Sequence, residues 1–162
     1  MSASLTLYQQ LIAGNLRVGS VIHKYCDFTT PPKNKYMLVA SVEPKFMVLM
    51  INSRVNQHYV TLGQDVFHVK ICKAEHEFLA HDSHANCIEA HSAFDLSDIR
   101  QELFDNYTQL HKGWITDSCL EEVYIAVRDN IVMRTSYKKA IMHSIESKLI
   151  HLEPQAENSK LT

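Results

Sequence analysis

Tyr36-Met37-Leu38-Val39-Ala40-Ser41-Val42-Glu43-Pro44-Lys45-Phe46-Met47-Val48-Leu49-Met50-Ile51-Asn52 is the stretch whose reading decides the fold. Its two apolar runs, Tyr36 to Val42 and Lys45 to Asn52, are rich in Val, Ile, Met and aromatic residues and are each too short for a typical helix, so both read as strands. Glu43-Pro44-Lys45 is a compact connector between them, which predicts a hairpin.

Working outward, Val18 to Tyr25 reads as a preceding strand, separated from the hairpin by Cys26 to Asn34. Pro31 and Pro32 remove backbone donors there and predict a projecting loop. Gln57 to Leu62 and Val66 to Cys72 supply further alternating segments around the turn signal Gly63-Gln64-Asp65, and Phe78 to Ser92 reads as one or two short strands. Upstream, Leu5, Leu7, Tyr8, Leu11 and Ile12 predict a short opening helix, with Ser4 as N-cap and Gly14 as stop. Downstream, Asp95 or Ser97 can cap a helix whose apolar face is Ile99, Leu103, Phe104, Tyr107 and Leu110, ending at Gly113. Ser118 and Glu121 form a capping-box pattern ahead of Leu120, Val123, Tyr124, Val127 and Ile131. The same spacing resumes with Tyr137, Ala140, Ile141, Ile145 and Leu149 after a break around Met133 to Thr135, giving two helices or one bent one. The expectation is a single α+β domain over 1–153: a small antiparallel β-barrel (16–92) with an N-terminal helix, then two or three C-terminal helices (96–150), and a flexible tail (154–162).

A chain of 162 residues with 46% hydrophobic and 21% charged residues can bury a core of its own. Its net charge of -2 excludes a protein that holds nucleic acid by bulk charge, so any basic surface must be local; with ten histidines, modest acidification turns the net charge positive. Cys26, Cys72, Cys87 and Cys119 have no close pair, fit neither a disulfide framework nor a four-thiolate zinc site, and read as reduced. A basic stretch leading into an apolar run is missing at the N-terminus, as is any membrane-length apolar segment, so a soluble cytoplasmic protein without membrane contact is expected. The sequence has four glycines and shows no glycine-rich phosphate loop, nucleophile elbow or paired-carboxylate signature; no cofactor is expected.

Two clusters could carry chemistry. In His81-Asp82-Ser83-His84-Ala85-Asn86-Cys87-Ile88-Glu89-Ala90-His91, the residues His81, His84, Cys87 and His91 offer zinc-ligand types, but their spacing matches no fixed ligand set; the competing reading is a polar edge strand with a buried cysteine. The second cluster is Lys33 and Lys35 from the proline loop with Asn52, Ser53, Arg54 and His58 after the third strand. Neighbouring strands would bring these together, with Lys35 and Arg54 holding a phosphate and Asn52 and Ser53 hydrogen-bonding its oxygens; the competing reading is a solvated rim. Trp114 reads as a plug at a helix junction, and Met47 and Met50 as core.

The order Gly19-Ser20-Val21-Ile22, a proline loop, Lys35-Tyr36-Met37-Leu38-Val39, then Val48-Leu49-Met50-Ile51-Asn52-Ser53 resembles the opening of the PemK/MazF family, the endoribonuclease toxins of toxin–antitoxin pairs, which share a small SH3-like barrel of the CcdB/Kid type. Leu79 to Ile88 followed by Asp95-Leu96-Ser97-Asp98-Ile99 resembles the family's final strand and closing helix, so the match spans roughly residues 18 to 110. The resemblance implies cleavage of single-stranded RNA by attack of a ribose 2′-hydroxyl on the adjacent phosphate, a homodimer, and an antitoxin-like protein partner. It places Lys35 where the family has its catalytic arginine, Tyr36 where a proline follows it, and Asn52 or Ser53 where it has a catalytic threonine. On that reading Lys35, Ser53 and Arg54 are the catalytic candidates, and Lys33, Asn52 and His58 the nucleic-acid-binding ones. The alternative is a non-catalytic protein- or nucleic-acid-binding module on the same barrel. The helical extension beyond residue 114 exceeds the family's closing helix and implies an added surface for assembly.

Overall fold

In the computed structural model, which describes residues 6–152, the expected hairpin lies at the centre of a sheet. Strands β2 (Lys33–Ser41) and β3 (Met47–Asn52) run antiparallel, with Met37 opposite Met50 and Leu38 opposite Leu49. With β1 (Ser20–Cys26), β4 (His68–Ile71), β5 (Ser83–Asn86) and β6 (His111–Trp114) they form a six-stranded sheet in the order β4-β5-β3-β2-β1-β6, antiparallel throughout. Register shifts between Val21 and Ile22 and between Val39 and Ser41 bend and twist the strands, and the sheet curls into a half-barrel with β4 and β6 at its edges.

Both faces of the central strands are covered. Val21, Leu38, Leu49, Ile51 and Ala85 pack with Leu120, Val123 and Val127 of α5 (Asp117–Asp129) and with Ile141 and Ile145 of α6 (Thr135–Lys148). Alternation sends Ile22, Met37, Val39, Val48 and Met50 to the opposite face, against Ile12 of α1 (Leu7–Asn15), Ile99 and Leu103 of α3 (Leu96–Asp105) and Leu110 of α4 (Tyr107–Leu110). Burial on both sides explains why Met37 to Ala40 and Met47 to Ile51 read as unbroken apolar runs. Among the described residues no helix is long and apolar enough to cross a membrane, and all four cysteines are free thiols.

Several elements differ from the sequence reading. The cap of α1 is Thr6, in a reciprocal capping box with Gln9, and the helix runs past Gly14 to Asn15; the expected cap Ser4 and the expected tail 154–162 lie outside the described residues. Lys33 and Asn34, expected in the loop, already pair with Cys26 and Tyr25, because both prolines precede the ladder rather than interrupt it. Gln57 to Leu62 is helical: Asn56 Oδ1 accepts from the His58 N–H to start α2 (Gln57–Thr61), and no residue of this helix is buried, so no sheet face was available to make it a strand. The segment from Val66 enters β4 only at His68, after one 3-10 turn over Asp65–Phe67.

The helix from Asp95 stops at Asp105, and the chain returns through α4 to β6. Gly113 is therefore a strand residue opposite Val21, where a Cβ would lie 2.5 Å from Phe78 Cδ1; close approach of that ring, rather than a helix stop, accounts for the glycine. Trp114 lies on the edge strand, its indole N–H donating to Asn15 O at 3.0 Å and its ring facing the Arg17 guanidinium at 4.8 Å, not at a helix junction. Helix α5 is capped by Thr116 rather than Ser118, because the Ile115 N–H still bonds Gly19 O and the sheet hands directly over to the helix. The last two helices are separate, and the fully buried Asn130 fixes their junction by donating to Cys87 O at 3.0 Å and Ile88 O at 3.1 Å while accepting from the Val132 N–H at 2.8 Å.

Candidate functional site

The face of the sheet that carries Met37 and Met50 changes character at one end. Register sets Lys24 of β1 opposite Lys35 of β2, Asn52 of β3 opposite His84 of β5, and His84 opposite Lys70 of β4. Lys35 Nζ donates to Asn52 Oδ1 and joins the two halves. The result is a polar row across five strands, in which the pleat aims every side chain to one side.

The ends of the row are neutralised and its centre is not. Lys24 pairs with Glu102 at 2.6 Å and Lys70 with Asp82 at 3.5 Å, whereas Lys35 meets no carboxylate among the described residues. Burial, seconded by the neighbouring Lys33, holds the Lys35 ammonium below the usual lysine range, with the Cys26 thiol acting weakly the other way. A cation in that condition gains more from an arriving anion than a solvated lysine would.

Over the centre of this row, at Lys35 and Asn52, lies an open groove of about 700 Å3. Lys35, Met50, Asn52 and Asn86 contribute from the sheet, Lys33, Ser53 and Arg54 from strand ends, and Phe28, Tyr59 and His91 supply rings. Two of those rings are held in place by neighbours: Phe28 lies 5.2 Å from the His91 ring and 5.7 Å from Phe94, and Tyr59 lies 4.9 Å from His68 while its hydroxyl accepts from Asn86 Nδ2 at 3.3 Å. Arg54 and Ser53 are exposed at the rim. With Asn52 Oδ1 engaged by Lys35, its amide NH2 is the donor left for a ligand.

Five of the six sequence candidates, Lys33, Lys35, Asn52, Ser53 and Arg54, thus line one groove. His58 does not: it sits on exposed α2, edge-on to Tyr59 at 5.6 Å, outside the lining. Phe28, Tyr59, Asn86, Glu89 and His91 were missed as groove residues. The signal for the last three was the dense polar run 81–91, which becomes interpretable only once β5 is placed beside β3, with Ala85 opposite Ile51.

The histidine-cysteine cluster does not assemble. Cys87 points into the opposite core, where burial pushes its thiol far up, while His81 turns back onto Asp82 O at 2.9 Å and His91 faces Phe28. Among the described residues no group of three or more His, Cys, Asp or Glu could hold a metal ion.

No protein-family model, curated protein or solved structure matches the chain. Its chemistry must be read from the groove, which gathers cations, amide and hydroxyl donors, ring faces, a carboxylate and an imidazole in one lining.

Proposed function

We propose that the chain is a divergent relative of the PemK/MazF toxins, built on their SH3-like barrel, and that its groove binds single-stranded RNA and cleaves it. The observation that carries this reading is Lys35, a half-buried cation without a carboxylate partner among the described residues, in a groove whose lining also carries aromatic rings. In the reaction the 2′-oxygen attacks phosphorus, the bond to the 5′-oxygen breaks, and the products are a 2′,3′-cyclic phosphate and a 5′-hydroxyl. Lys35 and Arg54 stabilise the phosphorane, and Asn52 and Ser53 donate to its oxygens. Glu89 takes the proton of the attacking hydroxyl and His91 supplies one to the leaving oxygen.

Mixed single-stranded RNA incubated with the protein should yield 5′-hydroxyl fragments, and Lys35→Ala/Arg54→Ala should be slower by about 100-fold or more. Intact RNA with both proteins would remove catalysis. The second reading, a binding module that does not cleave, is favoured by the ammonium at position 35, which lacks the fork of a guanidinium. It predicts RNA retained intact by the wild type and released by the double variant. Kinship with the toxins also carries a homodimer, an antitoxin-like partner and action in the cytoplasm as proposals; a monomer in sedimentation at micromolar concentration would remove the dimer.

A further inference from the structure

Behind the wall that Tyr59 and Glu89 give the Lys35 groove lies a second hollow of about 420 Å3, closed on its far side by the junction of α5 and α6. Arg134 and Tyr137 line it, and Lys45, outside the lining, also reaches the Tyr137 ring. Lys45 Nζ lies 5.0 Å and the Arg134 guanidinium carbon 5.2 Å from its ring centre, and its hydroxyl is 3.1 Å from Ser92 Oγ and 3.5 Å from an Arg134 nitrogen. The phenol is held below the usual tyrosine range, first by the Ser92 hydrogen bond and then by Lys45, and its ring face attracts both cations. Neither Arg134 nor Lys45 meets a carboxylate among the described residues. The first turn of α6 has no side-chain cap, leaving its N–H groups open beside Arg134. Val132, 56% exposed, gives the hollow an apolar side.

Resting on the RNA reading above, we infer that this hollow is a second nucleotide subsite, so that one RNA strand runs from Lys35 past Tyr59 to Arg134, with Lys45 flanking its end at the Tyr137 ring. The wall shared by the two hollows offers the Tyr59 ring and no cation, so a base crosses at that point, against that ring, and the next phosphodiester lands beside Arg134, with Lys45 at the Tyr137 ring next to it. The junction of α5 and α6 thereby becomes part of the RNA path, which gives the back half of the chain a role in substrate length rather than in chemistry.

The test uses 2′-O-methyl oligouridylates of three and eight residues, which lack the attacking hydroxyl, and fluorescence anisotropy with the full chain. Wild type should bind the eight-mer at least about tenfold more tightly than the three-mer. Arg134→Gln/Lys45→Gln should erase that difference while leaving three-mer affinity within about twofold, and should flatten the salt dependence for the eight-mer by roughly 0.7 for each phosphate that is no longer neutralised. Each single change should remove part of the advantage. An eight-mer affinity that the double change leaves untouched, beside normal three-mer binding, would overturn this subsite and spare the Lys35 groove. Failure of wild type to bind either oligomer would instead overturn both.

Discussion

Lys35 holds its place at some cost to the fold. Because burial lowers its folded-state pKa, the unfolded chain binds that proton more tightly, so at neutral pH the ammonium opposes folding; the penalty disappears only above the ordinary lysine pKa of 10.5. Lys35→Met should therefore abolish RNA binding while leaving the melting temperature equal to or above that of the wild type, and a clear fall in melting temperature would show the ammonium to be structural. Gly113 makes the opposite case, a residue held for packing. Gly113→Ala places a methyl 2.5 Å from the Phe78 ring, and urea unfolding should show a loss of about 1–3 kcal/mol, partly recovered when Phe78 is also shortened. The sequence announced Lys33, Lys35, Asn52, Ser53 and Arg54 because charged and amide residues at strand ends are conspicuous. Glu89 and His91 were visible only as members of a polar run, since nothing local says across which strand a side chain looks.

Elements were legible in proportion to how much burial dictated their pattern. The β2–β3 hairpin and the amphipathic stripes of α5 and α6 could be read because each has an uninterrupted buried face. The short helix α2 has no buried residue, so its Tyr and Val content suggested a strand while the Asn56 cap decided otherwise. Strand β6 is four residues carrying His, Lys, Gly and Trp, with no alternation long enough to detect; it exists because β1 offers it an edge. The junction of α5 and α6 depends on one side chain. Asn130→Ala leaves the Cys87 and Ile88 carbonyls without their donor and should cost about 2–3 kcal/mol in urea unfolding with an unchanged m-value; a loss below about 0.5 kcal/mol would mean the junction is held by packing alone.

For the whole molecule, a net charge of -2 concealed a row of lysines whose outer members are neutralised and whose centre is not. Averaged charge is blind to such an arrangement, and only the register of five strands discloses it. The histidines set the response to acid. His23, His68 and His111 are all pushed below the ordinary 6.5, each chiefly by burial. The unfolded chain thus takes up protons first, so stability is fully present above about pH 6.5 and is lost as pH falls below it. The urea midpoint should drop between pH 7.5 and pH 5.5, a window well above the Asp82 and Asp95 carboxylates, which titrate below the ordinary 3.8; a flat profile there would mean the three imidazoles are solvated in solution.

The claim on which the rest turns is that the Lys35 groove is where RNA lies, and amide NMR during titration with a short single-stranded oligouridylate tests it most directly. With RNA in the Lys35 groove, the Asn52 and Asn86 side-chain amides and the backbone signals of Lys35, Ser53 and Arg54 move together and saturate together, while those of Ile125 on α5 and Lys112 on β6 stay put. Saturable shifts centred on His111 and Trp114, or none anywhere, would contradict it.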